Sequence, residues 1–457
     1  MDKLVSCIVD YCSDFKRRPI SISSLHECRR RLIDVVGCGL SAFHEDATVI
    51  SRKTASRYES NLNGVFPNVL GVELNVAPEM AAFTNALGIR YFDGADTFPG
   101  GGGHPSDCWA GLIAVAQHAD ADVRSLFESV LISYEVFYEL FQASNLRAKG
   151  IDNAFYVTVS TAVGASYLLG LSKESIAHAI SFAVVPNVSL GVARTGELSM
   201  WKAGASANAA RNGVFAAMLA NDGMSAPALP FSGERGLFQL SDSFVMNFRK
   251  EVDKPRIFDA HMKTYLCDYH SQTAITVAKS LHGKFSACDI QKVIVSTYWF
   301  AWNEVASDPS KWHPKNRETA DHSLPWIVAG VLMDGNFSEN LFTSQRFNDP
   351  ILKDLCARVV VKEDAQLTNQ FPHRMPCRIE IFLKNGTVLT ETMDLPHGHP
   401  DFPMDDETLA NKFLMLATQV MAINKAEDFL NHLWVLDLSE SCRTLFKHHF
   451  VHRRLDI

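Results

Sequence analysis

Over the first 250 residues the apolar positions follow helical spacing. In SSLHECRRRLIDVVGCGLSAF (23–43), Leu25, Leu32, Val35, Val36 and Leu40 recur close to a 3.6-residue period, after serines suited to capping. This predicts an amphipathic helix. PEMAAFTNALGIR (78–90) opens on Pro78, a residue suited to the first helical position, and is rich in alanine. SLFESVLISYEVFYELFQ (125–142) is apolar on nearly every side, the pattern of a buried helix. ASANAARNGVFAAMLANDG (205–223) carries small residues on one face and ends in Gly223, which suits close helix packing and a glycine stop. No strand pattern precedes residue 286.

The texture changes near residue 260. KVIVSTY (292–298) and ARVVVKE (357–363) are short β-branched runs, and CRIEIFLKNGTVLTETM (377–393) alternates Ile379, Ile381 and Leu383 before Asn385-Gly386. Both residues of that dipeptide tolerate positive φ, so it predicts a hairpin. Helical patterns at about 271–284 and 321–334 make this segment α+β with a mainly antiparallel sheet. From Asp405 onward the helical pattern returns. The expected fold is mainly α: a large helical domain from both chain ends (1–265 and 399–457) with a smaller α+β domain (266–398) inserted.

Composition adds exclusions. With 47% apolar and 21% charged residues, the 457-residue chain can bury a sizeable core. Its 43 basic and 51 acidic residues give a net charge of −8 without a long basic block, which speaks against nucleic acid. The N-terminus lacks an apolar core with a cleavage site, and no 18-residue apolar stretch free of charges follows. We therefore expect a cytoplasmic protein that neither crosses nor binds a membrane. The ten cysteines show no C-x-x-C spacing, which points to reduced thiols and away from structural zinc and iron–sulfur ligation.

Four stretches concentrate candidate chemistry. YFDGADTFPGGGGHPSD (91–107) crowds Asp93, Asp96, Thr97, His104, Ser106 and Asp107 around four glycines, Gly100 to Gly103. Glycines permit close backbone approach and can turn N–H groups toward an anion, so the run is expected as a pliable cradle without a packing role. The blander reading is a surface loop whose aspartates cap the following helix. SLGVARTGELSMWKAGASANAARNG (189–213) supplies Arg194, Glu197 and Lys202, either solvated charges or, for Lys202, a partly desolvated cation. KTYLCDYHSQTAI (263–275) places His270 at the seam between the two patterns. In ETADHSLPWIVAGVLMDG (318–335), Asp321 reads as a helix cap.

Together these stretches resemble the MmgE/PrpD family, which includes 2-methylcitrate dehydratases, cis-aconitate decarboxylases and iminodisuccinate epimerases. The D-x-x-D-T…GGGHPSD loop, the R-T-G-E-L-S-x-W-K…A-A-R-N-G segment and ADHSLPWIVAGVLMDG occur in order along nearly the whole chain. The resemblance implies a helical domain, an α+β lid, a cleft between them and a homodimer. It places Asp93, Thr97 and His104 on the cleft loop, Lys202 on a functional lysine position and His270 on the lid side. Two departures stand out. The tyrosine common in the lid helix is Trp326 here, and 145–160 lacks the histidine of the decarboxylases.

The implied substrates are small di- or tricarboxylates. Lys202, His104, His270 and Arg194 could supply cations and donors to them, with Thr97, the N–H groups of Gly102 and Gly103, and Trp326 completing the binding surface. A hydro-lyase without an iron–sulfur cluster needs one group to take the proton α to a carboxylate and another to protonate the departing hydroxyl. On this reading His104 carries one proton, Asp93 orients it, Lys202 stabilises the developing charge and His270 handles the second proton. An epimerase would use the same groups without a leaving group, and a silent carboxylate binder would use only the cations. A metal hydrolase is disfavoured because the glycine loop offers a single histidine. No cofactor or metal is required, so overnight chelation should leave turnover unchanged in a steady-state assay. Loss of turnover that zinc or iron restores would overturn this expectation.

Overall fold

The computed structural model describes residues 1–16, 18–59, 67–249, 254–446, 449 and 451. The chain divides into two compact units. The first comprises Met1–Arg194, Met200–Ala260 and Asp405–Ile457, and the second comprises Thr195–Ser199 and His261–Met404.

The first unit is helical, and local chemistry sets several of its boundaries. Ser21 accepts the Ser24 N–H at 3.1 Å and starts the Ile22–Ser41 helix, whose Leu25, Leu32, Val35, Val36 and Leu40 are all buried. Pro78 occupies the first turn of the Pro78–Tyr91 helix. Asp122 accepts the Ser125 N–H at 2.8 Å and opens Val123–Ala143, which is buried along most of its length, as an all-round apolar pattern requires. The alanine-rich helix runs Trp201–Asn221 and stops before Gly223, whose φ is +88°. It begins four residues ahead of the spacing-based start at 205, and no side chain caps it.

Small residues let these helices approach closely. The Trp201–Asn221 helix packs on Pro78–Tyr91 and on Ala154–Leu168. A Cβ on Gly213 would lie 2.7 Å from the Thr158 carbonyl oxygen and 2.6 Å from Thr161 Cβ. The C-terminal Asp406–Ala417 helix packs against Ile22–Ser41 within the same unit, where Lys412 Nζ donates to Asp34 at 2.6 Å and to the Gly94 carbonyl at 2.8 Å.

The second unit carries a four-stranded sheet in the order β2-β1-β3-β4. Its strands are β1 (Ile290–Thr297), β2 (Val359–Glu363), β3 (Cys377–Leu383) and β4 (Val388–Met393). β1–β3 and β3–β4 are antiparallel, with Ile294 opposite Glu380 and Ile381 opposite Leu389. β1–β2 is parallel, with Val293 opposite Val359; the long 298–358 connection supplies the crossover that a parallel pair requires. The Asn385-Gly386 turn closes the hairpin with Gly386 at φ +87° and its N–H on the Leu383 carbonyl. Ile379, Ile381 and Leu383 all point inward. Gln272–Leu281 packs on β3 and β4, and Leu324–Asp334 packs on Gln272–Leu281. Among the described residues no helix is long and apolar enough to cross a membrane.

Gly213→Ala should lower stability by about 1–3 kcal/mol, because the added methyl meets a backbone carbonyl that cannot turn aside. Urea denaturation measures the loss; an unchanged midpoint would mean that the helices can separate at that crossing without cost.

Candidate active site

The 91–107 segment is folded tightly on itself. Asp93 follows the Pro78–Tyr91 helix at φ +54°, a left-handed conformation uncommon outside glycine, and its carboxylate pairs with Arg90 one turn back. Phe98 N–H then donates to the Gly103 carbonyl at 2.8 Å, and the Thr97 hydroxyl donates to the same oxygen at 3.0 Å. Gly100, Gly101 and Gly103 all have positive φ. A Cβ on Gly102 would lie 2.7 Å from the Phe141 ring and 2.8 Å from Phe98 Cβ, and one on Gly103 would collide with Asn153. The expectation of a pliable run with no packing role is therefore corrected: Gly102 and Gly103 are buried, and neighbouring side chains leave no room for anything larger.

Asp96 holds this loop together. It is fully buried, and its carboxylate accepts from Arg31 at 2.9 Å, from the Tyr134 hydroxyl at 2.8 Å and from the Ser106 N–H at 3.1 Å. Burial first, then the Asp96 charge, pushes the Tyr134 phenol well above its ordinary range, so it stays a donor. The Asp96 backbone carbonyl lies 2.8 Å from His104 Nδ1. A carbonyl can only accept, so Nδ1 carries the proton and Nε2 faces Asp93 Oδ1 at 3.7 Å.

A buried group of charges surrounds His104. Lys202 Nζ lies 4.0 Å from Asp93 Oδ2 and is 1% exposed, so the lysine is deeply desolvated. Arg90 pairs with Asp93 and also places Nε 3.7 Å from Asp107 Oδ2. Burial pushes Asp107 up to about 6; Arg90, a hydrogen bond from Ser206 and Arg194 pull it down, and Asp93 adds to the rise. Asp107 does not cap the following helix, whose start has no side-chain cap. Arg194 donates to Asp152 at 3.0 Å, to the Lys202 carbonyl at 2.9 Å and to Ser206 Oγ at 3.3 Å. Its donors thus hold the first turns of the Trp201–Asn221 helix, and with them Lys202.

In the second unit, His270 sits on the short Tyr269–Ser271 turn, with its N–H on Asp268 Oδ1 at 2.8 Å. Its Nδ1 shares a 2.6 Å hydrogen bond with Tyr298, and its ring packs beside Phe300 with centroids 4.9 Å apart. Burial keeps the Tyr298 phenol protonated. Asp321 does not cap the next helix; Ser323 does, accepting the Trp326 N–H at 3.2 Å. Asp321 instead accepts from Arg317 at 3.2 Å and contacts His322 Nδ1 at 2.6 Å, while His322 Nε2 lies 3.7 Å from Asp268. Trp326 is 1% exposed and its indole N–H donates to the Leu341 carbonyl at 3.0 Å, which makes it part of the second unit's core.

The first unit thus brings together Asp93, His104 and Lys202, with Thr97, Gly102, Gly103 and Arg194 as the frame around them. Sequence reasoning missed Arg90, Asp107 as a charged site group, and Tyr298. Arg90 had a usable signal: three residues before Asp93, it is one helical turn away from it. Tyr298 had none, because only the tertiary fold brings it to His270. Gly102→Val should cost several kcal/mol through collision with Phe98 and Phe141, in addition to weakening any substrate binding. Thermal denaturation checks this; a variant as stable as the parent would restore the pliable-loop reading.

Residues 6–244 match the MmgE/PrpD N-terminal domain and residues 265–438 match the MmgE/PrpD C-terminal domain. The chain is 25% identical over 427 residues to 2-methylcitrate dehydratase of Cupriavidus necator, covering 87% of this chain and 86% of that protein. It is 27% identical over 438 residues to the mitochondrial 2-methylcitrate dehydratase of Yarrowia lipolytica, covering 87% and 80%. To cis-aconitate decarboxylase of Mus musculus it is 25% identical over 446 residues, covering 90% and 85%. With both domains matched in order across most of its length, the chain belongs to the MmgE/PrpD family.

Proposed function

We propose that this protein is a cofactor-independent hydro-lyase of the 2-methylcitrate dehydratase type, acting on a small hydroxy-tricarboxylate. The observation that carries the reading is the orientation of His104. Its Nδ1–H is committed to the Asp96 carbonyl, which leaves Nε2 as the basic atom, beside Asp93 and within a cluster that holds Lys202 and Arg90. The two 2-methylcitrate dehydratases and the cis-aconitate decarboxylase among the relatives are named for tricarboxylates, the former hydroxylated and the latter unsaturated.

On this proposal His104 Nε2 takes the proton from the carbon α to a carboxylate, and the electron pair left behind forms the double bond. The C–O bond to the hydroxyl breaks, and the hydroxyl takes a proton from His270 and leaves as water. Lys202 stabilises the negative charge that develops on the carboxylate in the transition state, and Asp93 orients and balances the imidazolium that forms on His104. Thr97, Gly102, Gly103 and Arg194 then act by shaping and holding the loop and helix that carry these groups. A homodimer is part of the same proposal.

The test is incubation in D2O with a panel of hydroxy-di- and tricarboxylates, read by NMR. A dehydrated product, with deuterium entering at the α carbon in the reverse direction, supports the reading; an epimerised or decarboxylated product, or none from any acid, overturns it. His104→Gln should lower kcat by about 10²–10⁴-fold. The glutamine amide can still donate to the Asp96 carbonyl, so the urea midpoint should shift little. Near-normal turnover by this variant would remove His104 from the mechanism.

A further inference from the structure

Two aspartates of the glycine loop are buried to the same degree but used differently. Asp96 has its carboxylate filled by Arg31, Tyr134 and Ser106 N–H. Asp107 caps no helix, and its Oδ1 has no hydrogen-bond partner, nor has the adjacent Ser106 hydroxyl. A buried carboxylate serving structure alone is expected to be satisfied, because an unpaired polar group away from water is left with its desolvation penalty unmet. What Asp107 does have is a hydrogen bond from Ser206 and a share in Arg90. The guanidinium pairs with Asp93 through one terminal nitrogen and lies 3.7 Å from Asp107 through Nε. Asp93 in turn faces His104 Nε2 and Lys202.

We propose that Asp107 is a positioning residue for the reaction: through the guanidinium that it shares with Asp93, it sets how firmly Asp93 is held and how much negative charge faces His104. When Asp107 is ionised, two carboxylates divide the attraction of Arg90. When it is protonated, Arg90 is given over to Asp93, and the field at His104 becomes less negative. The groups facing Asp107 are Arg90 on the Pro78–Tyr91 helix, Asp93 in the turn after it, Arg194 ahead of the Trp201–Asn221 helix, and Ser206 on that helix. Cys108, next in sequence, is kept a neutral thiol by burial. Asp107 ionises at about 6, so both states are reached near neutral pH. The proposal rests on His104 being the proton carrier named above.

Asp107→Asn is the decisive variant, since it fixes the uncharged state at almost unchanged volume. Histidine-¹⁵N NMR of the full chain reads the effect without requiring turnover. The His104 titration should be biphasic in the parent, with an inflection near pH 6, and should lose that inflection in the variant. Superimposable His104 curves would overturn the proposal, whatever the activity. In the kcat profile, the variant should lose the same inflection while KM stays unchanged; a uniform loss at every pH would instead mark a structural role.

Stability gives a third reading. A carboxylate whose folded pKa lies above its unfolded value of about 3.9 destabilises the fold when ionised. Its stabilising contribution is full below pH 4 and lost as pH rises through 6, so the variant should gain several degrees in Tm over the parent above pH 6 and none near pH 4. A Tm difference that does not change with pH would overturn the assignment. If Asp107→Asn fails to fold, Arg90→Lys keeps one charge but cannot reach both carboxylates, and it should likewise remove the His104 inflection; its persistence would overturn the proposal. A parent that turns over no carboxylate would sink the dehydratase reading, while the NMR titration would still decide this one.

Discussion

The structure depends on burying charge only where it is matched. Arg31 lies inside the helical unit, and all three of its guanidinium nitrogens donate: Nε to Glu27, NH1 to Asp96, and NH2 to the Ile257 and Ala260 carbonyls. Removing one member of such a network strands the others in a low-dielectric interior, at about 3–5 kcal/mol. Lys412 repeats the device from the Asp406–Ala417 helix, matched by Asp34 and the Gly94 carbonyl. Both cations end on the stretch between Gly94 and Asp96, so the segment that carries the candidate chemistry is also one that the fold is obliged to hold rigid.

This obligation explains why the glycine run does not behave as a loose loop. Once Asp96 is fixed by Arg31 and Tyr134, the chain must return ten residues later to place Ser106 N–H on the same carboxylate. The return runs through Gly100–Gly103 because most of these positions need positive φ and because Phe141, Phe98 and Asn153 crowd them. His104 emerges from that turn with its Nδ1 on the Asp96 carbonyl, so its tautomer follows from the same clamp. Asp93 absorbs the remaining strain in its left-handed backbone, and its ion pair with Arg90 offsets part of the cost.

Short-range physics was legible in the sequence. The Leu25–Leu40 stripe, Pro78 at a helix start, the buried 125–142 pattern and the Asn385-Gly386 hairpin each depend on residues within one or two turns of one another, and each element is present. The parallel β1–β2 pair was not legible, since its partners are separated by a long crossover. The start of the alanine-rich helix was misplaced for a related reason: no cap residue marks Trp201, and the first turns are held by Arg194 through tertiary contact. In the site, Asp93, His104 and Lys202 could be named from residue type and resemblance. Their environment could not, because Arg31 and Asp96 are 65 residues apart, and Lys412 and Asp34 are 378 apart. By spacing alone Asp321 reads as a cap, whereas Ser323 caps the helix and Asp321 serves Arg317 and His322.

Cavity-free packing and buried ions usually oppose one another, since water is what makes charge cheap. Here backbone carbonyls of two irregular segments do part of that solvation: Gly94 and Asp96, in the loop after the Pro78–Tyr91 helix, and Ile257 and Ala260, in and just after the Arg256–Asp259 turn, all offer carbonyl oxygens to buried cations or to His104. Such dipoles are fixed by the backbone and need no reorganisation when charge moves, which is the condition under which electrostatic stabilisation of a transition state is most effective. A helical core loose enough to admit water would solvate His104 and Lys202 equally well in every state, and would lose the preference for the charged one on which proton abstraction beside a carboxylate depends.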